Sequence, residues 1–323
     1  FLAFGNGQIN GTVDTALNDP RVLPIYGDQT RENAGSEIWM GDVTGDGYGD
    51  LIICRQNFSP DNQRIGAGAL TLIPANAELR AMAEANEVLD LRAPPDDIEI
   101  ITFIGATAYS RLCIWARNGD VTGDGVDDLA VGADGEASTG DFHAGAVYLI
   151  RGGAWLETSQ TIDLADFGTV ASGNLARVKP SLVNGHSDAE DYHFGATLTL
   201  GDLDGNGKAE LLAAAALNRA GAVLRPDGGI SGNTHGSGGT DEGTLYIAWD
   251  DNFSGDWATA PDFAVNAGPG TYTIIDGAYA VLNDPIPRHR AFGEEILGGE
   301  DYDNDGNSDV FVGDLTAQGF GNT

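Results

Sequence analysis

An Asp-rich loop recurs four times along the chain with the same internal spacing, and each copy runs directly into a short apolar segment. The copies are DVTGDGYGDLIIC (Asp42–Cys54), DVTGDGVDDLAVG (Asp120–Gly132), DLDGNGKAELLAA (Asp202–Ala214) and DYDNDGNSDVFVG (Asp301–Gly313). Side-chain oxygens fall at positions 1, 3, 5 and 9, and position 6 is always glycine. A hard cation such as calcium takes roughly 6–8 oxygen ligands, and a glycine permits the tight turn that converges them. Turn formation alone favours Asp, Asn and Gly, but it does not require the same oxygens at the same positions in four copies. An internal repeat of this size also governs the architecture.

A helix–loop–helix calcium site fails on these residues. It needs a bidentate Glu at position 12, where this chain has Ile53, Val131, Ala213 and Val312. The loops open instead onto LIIC, LAVG, LLAA and VFVG, which read as buried strands. Each loop is preceded by another apolar segment, at Ile38–Met40, Leu112–Ala116, Ala196–Leu200 and Ala291–Leu297. A third strand follows in three copies, at Gly68–Ile73, Gly145–Ile150 and Gly243–Trp249, and a fourth is clearest at Ile98–Ile104. The unit is strand, cation loop, strand, strand, strand.

These residues resemble the FG-GAP repeat of the integrin α-subunit N-terminal β-propeller and its bacterial relatives. Phe194-Gly195 and Phe292-Gly293 match the FG element, and Val131-Gly132-Ala133 resembles the GAP-like end of the second strand. The first two copies lack the FG pair, and the loops start 78, 82 and 99 residues apart, so the units carry insertions. The resemblance implies an all-β fold, a β-propeller of four-stranded antiparallel blades. The expected division is a half-blade at 1–30, blades at about 31–105, 106–190 and 191–285, and a half-blade at 286–323. The chain reads as an excerpt of a seven-bladed ring. The alternative is a closed four-bladed ring, in which Phe1–Gly5 would pair antiparallel with Val310–Gly313.

Up to four Ca²⁺ are expected. The predicted ligands are Asp42, Thr44, Asp46, Tyr48 and Asp50 in loop 1, and Asp120, Thr122, Asp124, Val126 and Asp128 in loop 2. Loop 3 supplies Asp202, Asp204, Asn206, Lys208 and Glu210, and loop 4 supplies Asp301, Asp303, Asp305, Asn307 and Asp309. Tyr48, Val126, Lys208 and Asn307, at position 7, would contribute backbone carbonyls. Loop 4, with four carboxylates, is expected to bind most strongly.

The formal net charge is −33, and 13 of the 49 acidic residues sit at loop ligand positions. Four divalent cations would leave about −25, so metal binding does not account for the acidity. Only Lys179 and Lys208 are lysines. Such a surface repels nucleic acid and anionic membranes. The most apolar run, Leu211–Leu217, is far short of the roughly 20 residues that span a bilayer.

Cys54 and Cys113 fall in neighbouring blades. Two buried free thiols are the simpler reading, and a disulfide the other. Asn76–Asp90 reads as a helix turning Leu79, Met82 and Leu89 to the sheet. The glycine-rich Asn218–Glu242, with Arg219, Arg225, Asp227, His235 and Asp241, is a surface excursion or a ligand-contact loop. His143, His186, His193, His235 and His289 show no paired zinc spacing, and no nucleophile elbow or P-loop is present. Trp39 and Trp115 share one repeat position, which favours core packing, whereas Trp155 and Trp257 fall in predicted loops and are candidates for sugar stacking. The resemblance implies an extracellular or cell-surface interaction module for a protein or glycan partner, not an enzyme. The alternatives are a structural subunit of a surface assembly and a glycan-active enzyme using a carboxylate pair.

Overall fold

The computed structural model describes residues 1–5, 19–137, 144–180, 193–215, 222–224, 230–232, 244–250, 257–258, 262–265, 272–276 and 292–314. Each Asp-rich loop joins two antiparallel strands. In repeat 1 the sheet runs Ala34–Gly41, Asp50–Arg55, Ala69–Ile73, Ile101–Ile104, each antiparallel to the next. Repeat 2 follows with Ala116–Gly119, Asp128–Ala133, Ala146–Ile150 and Leu175–Pro180. Repeat 3 has Thr197–Gly201, Glu210–Ala215, Thr244–Ala248 and Tyr272–Asp276. Repeat 4 shows a first and a second strand, Phe292–Glu300 and Asp309–Asp314. Leu2–Ala3 pairs antiparallel with Val22–Leu23, as third and fourth strands would. Among the described residues it does not pair with Asp309–Asp314, and no sheet closes on itself.

The second strands are buried on both faces, which is why they read as continuous apolar runs rather than alternating ones. Successive side chains still serve opposite sides. Ile52 and Cys54 pack toward repeat 2 with Leu129, Val131 and Tyr148, while Leu51 and Ile53 pack toward Leu23 and the helix. Ala130, Val147 and Leu149 on the far side of repeat 2 meet Leu198, Leu211 and Ala213 of repeat 3. Leu212 and Ala214 then meet Ile296 of repeat 4. The all-β stack of sheets packed face to face is consistent with a β-propeller.

The insertions have a structural task that the sequence did not reveal. Between its third and fourth strands, each of three repeats sends a short strand back to the preceding sheet, where it adds in parallel to the outer edge. Leu89–Asp90 pairs with Ile25–Tyr26, Gln160–Asp163 with Ile101–Ile104, and Asp262–Val265 with Leu175–Pro180. Covering an outer edge removes unpaired backbone groups. Arg64 from the preceding sheet grips Asp163 through two bonds of 2.6 and 2.7 Å, and Arg177 donates to Asp262 at 2.8 Å.

Three expectations need correction. The helix spans only Ala77–Glu84, capped by Asn76, whose side chain accepts from the Glu78 amide. Leu79 and Met82 are buried as expected, but Leu89 is buried in the returning strand rather than in the helix. Cys54 and Cys113 are bonded to each other, not free, with Cα atoms 5.1 Å apart. Trp257 is 1 % exposed and presents no stacking face, while Trp155 is half-buried, its indole N–H on the Arg151 carbonyl and its ring 6.2 Å from that of Phe103 in an edge-on contact.

The disulfide has a place in the repeat frame. Seven residues before the loop, Gly35, Cys113 and Gly195 all have positive φ (82°, 67° and 85°), and Gly293 in repeat 4 has 86°. A Cβ built on Gly293 would lie 2.7 Å from the Ala214 Cβ of the preceding sheet. Cys54 occupies in repeat 1 the position of Ala214 in repeat 3. The disulfide thus forms where other repeats bring two backbones into close contact through glycine.

Candidate metal centre

All four loops share one hydrogen-bond plan. The position-1 carboxylate accepts backbone amides from the turn ahead of it. Asp42 takes Gly45 and Gly47, both at 2.9 Å. Asp120 takes Gly123 at 2.6 Å and Gly125 at 2.8 Å. Asp202 takes Asn206 and Gly207, and Asp301 takes Asp305 and Gly306. The position-5 side chains of Asp46, Asp124, Asn206 and Asp305 accept the position-7 amides of Tyr48, Val126, Lys208 and Asn307 respectively. These bonds curl the loop back on itself. Position 6 is left-handed in each (φ 87°, 86°, 87° and 98°), which accounts for the invariant glycine. Position 4 is left-handed as well, in Gly45, Gly123, Gly205 and Asn304, a requirement the sequence analysis missed.

Position 9 anchors the loop to the sheet. Asp50 accepts the Val43 and Thr44 amides, each at 2.9 Å, and its second oxygen accepts the Ala75 amide at 2.9 Å. Asp128 repeats this with Val121, Thr122 and Gly152. Glu210 accepts from Leu203 at 2.6 Å, and Asp309 from Tyr302 at 2.8 Å. Asp50, Asp128 and Glu210 are fully buried. Burial pushes the Asp128 carboxyl up to about 6 and the Glu210 carboxyl up to about 7, because a buried carboxylate loses its hydration. Asp303, in the open, is raised chiefly by the adjacent Asp305 carboxylate.

The loops differ in how their acids converge. Oxygens of Asp202, Asp204 and Glu210 lie within 4.8 Å of one another, as do those of Asp301, Asp303 and Asp309. Among the described residues, loops 1 and 2 form no such three-acid group, since Thr44 and Thr122 stand at position 3. Glu210 Oε1 in loop 3 and Thr122 Oγ1 in loop 2 are buried, with the Asp250 amide and the Asp128 carboxylate respectively as their neighbours. An all-oxygen donor set with three carboxylates converging in loops 3 and 4 fits a hard divalent cation. When bound, that cation would supply charge neutralisation within each loop.

The loops are also joined to one another. The Ala209 amide of loop 3 donates to the Asp120 carbonyl of loop 2, and the Ser308 amide of loop 4 donates to the Asp202 carbonyl of loop 3, both at 2.7 Å. In loops 2, 3 and 4 the position-7 side chain packs on the position-4 glycine of the loop before it. Built Cβ atoms on Gly45, Gly123 and Gly205 would lie 3.1, 2.8 and 2.6 Å from Val126, Lys208 and Asn307 respectively. The loops therefore form a connected row.

A family model described as FG-GAP repeat matches residues 116–150 and 194–224. In these two segments the chain matches the FG-GAP repeat. The two matches take in the first three strands of repeat 2 and the FG element, loop and second strand of repeat 3. No curated protein matches the chain. FG-GAP repeats are found in extracellular and surface interaction modules that are generally non-enzymatic, and they commonly bind Ca²⁺. Among the described residues, no helix is long and apolar enough to cross a membrane.

The other candidate groups of the sequence fare unevenly. His193 is held by Asp134 at 3.1 Å, beside Arg111, at the junction of repeats 2 and 3. Trp39 and Trp115 both stack on the Arg117 guanidinium, 4.2 and 4.7 Å from it, which joins the first strands of repeats 1 and 2. His143, His186, His235 and His289 lie outside the described residues, as do Arg219, Arg225, Asp227 and Asp241 of the Asn218–Glu242 segment.

Proposed function

We propose that the chain is a calcium-rigidified β-propeller module that presents its loops to an extracellular protein or glycan. The observation that carries this reading is the row of four oxygen-bearing loops, curled by their own amides and fixed to the sheets through position-9 carboxylates, three of them buried. The position 1, 3, 5 and 9 side chains of each loop are its ligands, with Tyr48, Val126, Lys208 and Asn307 contributing carbonyls. The four sheets are successive blades of a ring, since the first strands of adjacent repeats lie side by side. In such a ring, the exposed Ile38 and Met40 at one end of the arc, and Leu297 and Phe311 at the other, are blade-packing faces. The Cys54–Cys113 bond supports an oxidising, extracellular setting, where calcium is also abundant.

Capture on a glycan array and on immobilised cell-surface proteins, in calcium and in EDTA, tests the interaction reading. Calcium-dependent capture supports it. A folded, calcium-loaded chain that is captured by neither refutes it.

A further inference from the structure

Loop 3 departs from the others in two ways that work against a cation. Position 5 is Asn206 rather than a carboxylate, and position 7 is Lys208, a cation inside a cation-binding loop. Both side chains converge on Asp250, which lies 44 residues beyond Asn206 in the chain. Asn206 Nδ2 donates to Asp250 Oδ1 at 3.3 Å, and Lys208 Nζ lies 3.6 Å from Asp250 Oδ2. Asp250 is 4 % exposed and sits two residues past the third strand, where repeats 1 and 2 have Ala75 and Gly152.

We propose that Asp250 is the positioning residue of the loop-3 cation site, holding Asn206 oxygen-inward and neutralising Lys208. An amide side chain can present either its oxygen or its NH₂ to a cation. With Nδ2 taken by Asp250, and Oδ1 accepting the Lys208 amide at 2.9 Å, the oxygen half faces into the loop. The Lys208 stem lies over Gly123 of loop 2, so its ammonium would otherwise stand between two cation loops. Pairing with a buried carboxylate removes that repulsion. The Asp250 backbone amide also serves the Glu210 carboxylate of the same loop, as Ala75 serves Asp50 and Gly152 serves Asp128. Loop 3 thus recovers, from outside its own motif, the negative charge it lacks at position 5.

This inference rests on the loops binding calcium, and the test separates the two. Calcium is titrated into the metal-free full chain by calorimetry for wild type, D250N, D204N and the D204N/D250N pair. Loss of an orienting partner outside the ligand shell weakens metal binding about 10- to 100-fold. D250N is expected to weaken one site by that factor and to change nothing further once D204N has disabled loop 3. K208M is a second probe that leaves Asp250 in place, and it should tighten the same site. Wild-type binding with every site unchanged in D250N, or K208M weakening the site, overturns the role of Asp250. Absence of calcium binding by the wild type removes the reading of the loops and this inference with it.

Discussion

Cutting the Cys54–Cys113 bond tests how the first two repeats are joined. The bond closes a segment with a sequence separation of 59 residues. In the chain-entropy treatment, releasing a loop of that length returns about 14 cal/mol/K to the unfolded chain, or about 4 kcal/mol at 25 °C. Cys54→Ala should therefore lower the free energy of unfolding by about 4 kcal/mol, read from urea melts in saturating calcium. The two ends of the bond are not equivalent. Cys113 has φ 67°, where Gly195 and Gly293 stand in later repeats. A non-glycine residue in that region costs roughly 1–2 kcal/mol. Cys113→Gly should thus lose the crosslink yet recover part of that strain, leaving it about 1 kcal/mol more stable than Cys113→Ala. If Cys54→Ala unfolds within about 1 kcal/mol of wild type, or Cys113→Gly is no better than Cys113→Ala, the reasoning fails.

Three further outcomes are expected. Asp163→Asn should cost about 1 kcal/mol by weakening the grip of Arg64 on the returning strand, measured by thermal melts at low and high salt. Asp303→Asn should cost more calcium affinity than Thr44→Val, because it removes a charge from a converging three-acid group, read by calorimetric titration. Without metal, the chain should be more stable at pH 4.5 than at pH 7.5. Asp128 and Glu210 have folded values of about 6 and about 7, above their ordinary 3.8 and 4.5. Their stabilisation is thus complete below those ordinary values and lost as pH rises through the folded ones. Melts in EDTA across this window check it, and calcium should reverse the loss at pH 7.5.

The parts of the molecule that were legible in the sequence are those whose chemistry repeats. The oxygen-bearing side chains at positions 1, 3, 5 and 9 recur in type and spacing, and so does Gly at position 6. The second and third strands were legible because burial on both faces leaves them apolar throughout. The returning parallel strands were not. Gln160–Asp163 is only four residues long and mixes polar and apolar side chains, and its partner Ile101–Ile104 is set by tertiary packing. The disulfide became readable only once Cys113 was placed in the glycine position of the FG element, where its Cβ points at the preceding sheet. Asp250 carries no motif at all, and its approach to Asn206 and Lys208 depends on where the third strand ends. Trp257 fell in a segment with loop-like composition, yet it is buried and the Arg151 guanidinium stacks 5.1 Å from its ring.

The central claim is that calcium holds the loops. Without it, three or four carboxylates face one another in loops 3 and 4, and the strand pairs they join should open. A ligand that binds only the folded state stabilises by about 2.7 kcal/mol per site at 100 times its Kd. The most direct test is a thermal melt of the metal-free chain at pH 7.5, repeated across a calcium titration. The account predicts a midpoint that climbs with calcium and returns on adding excess EDTA. A midpoint unmoved by either would contradict it.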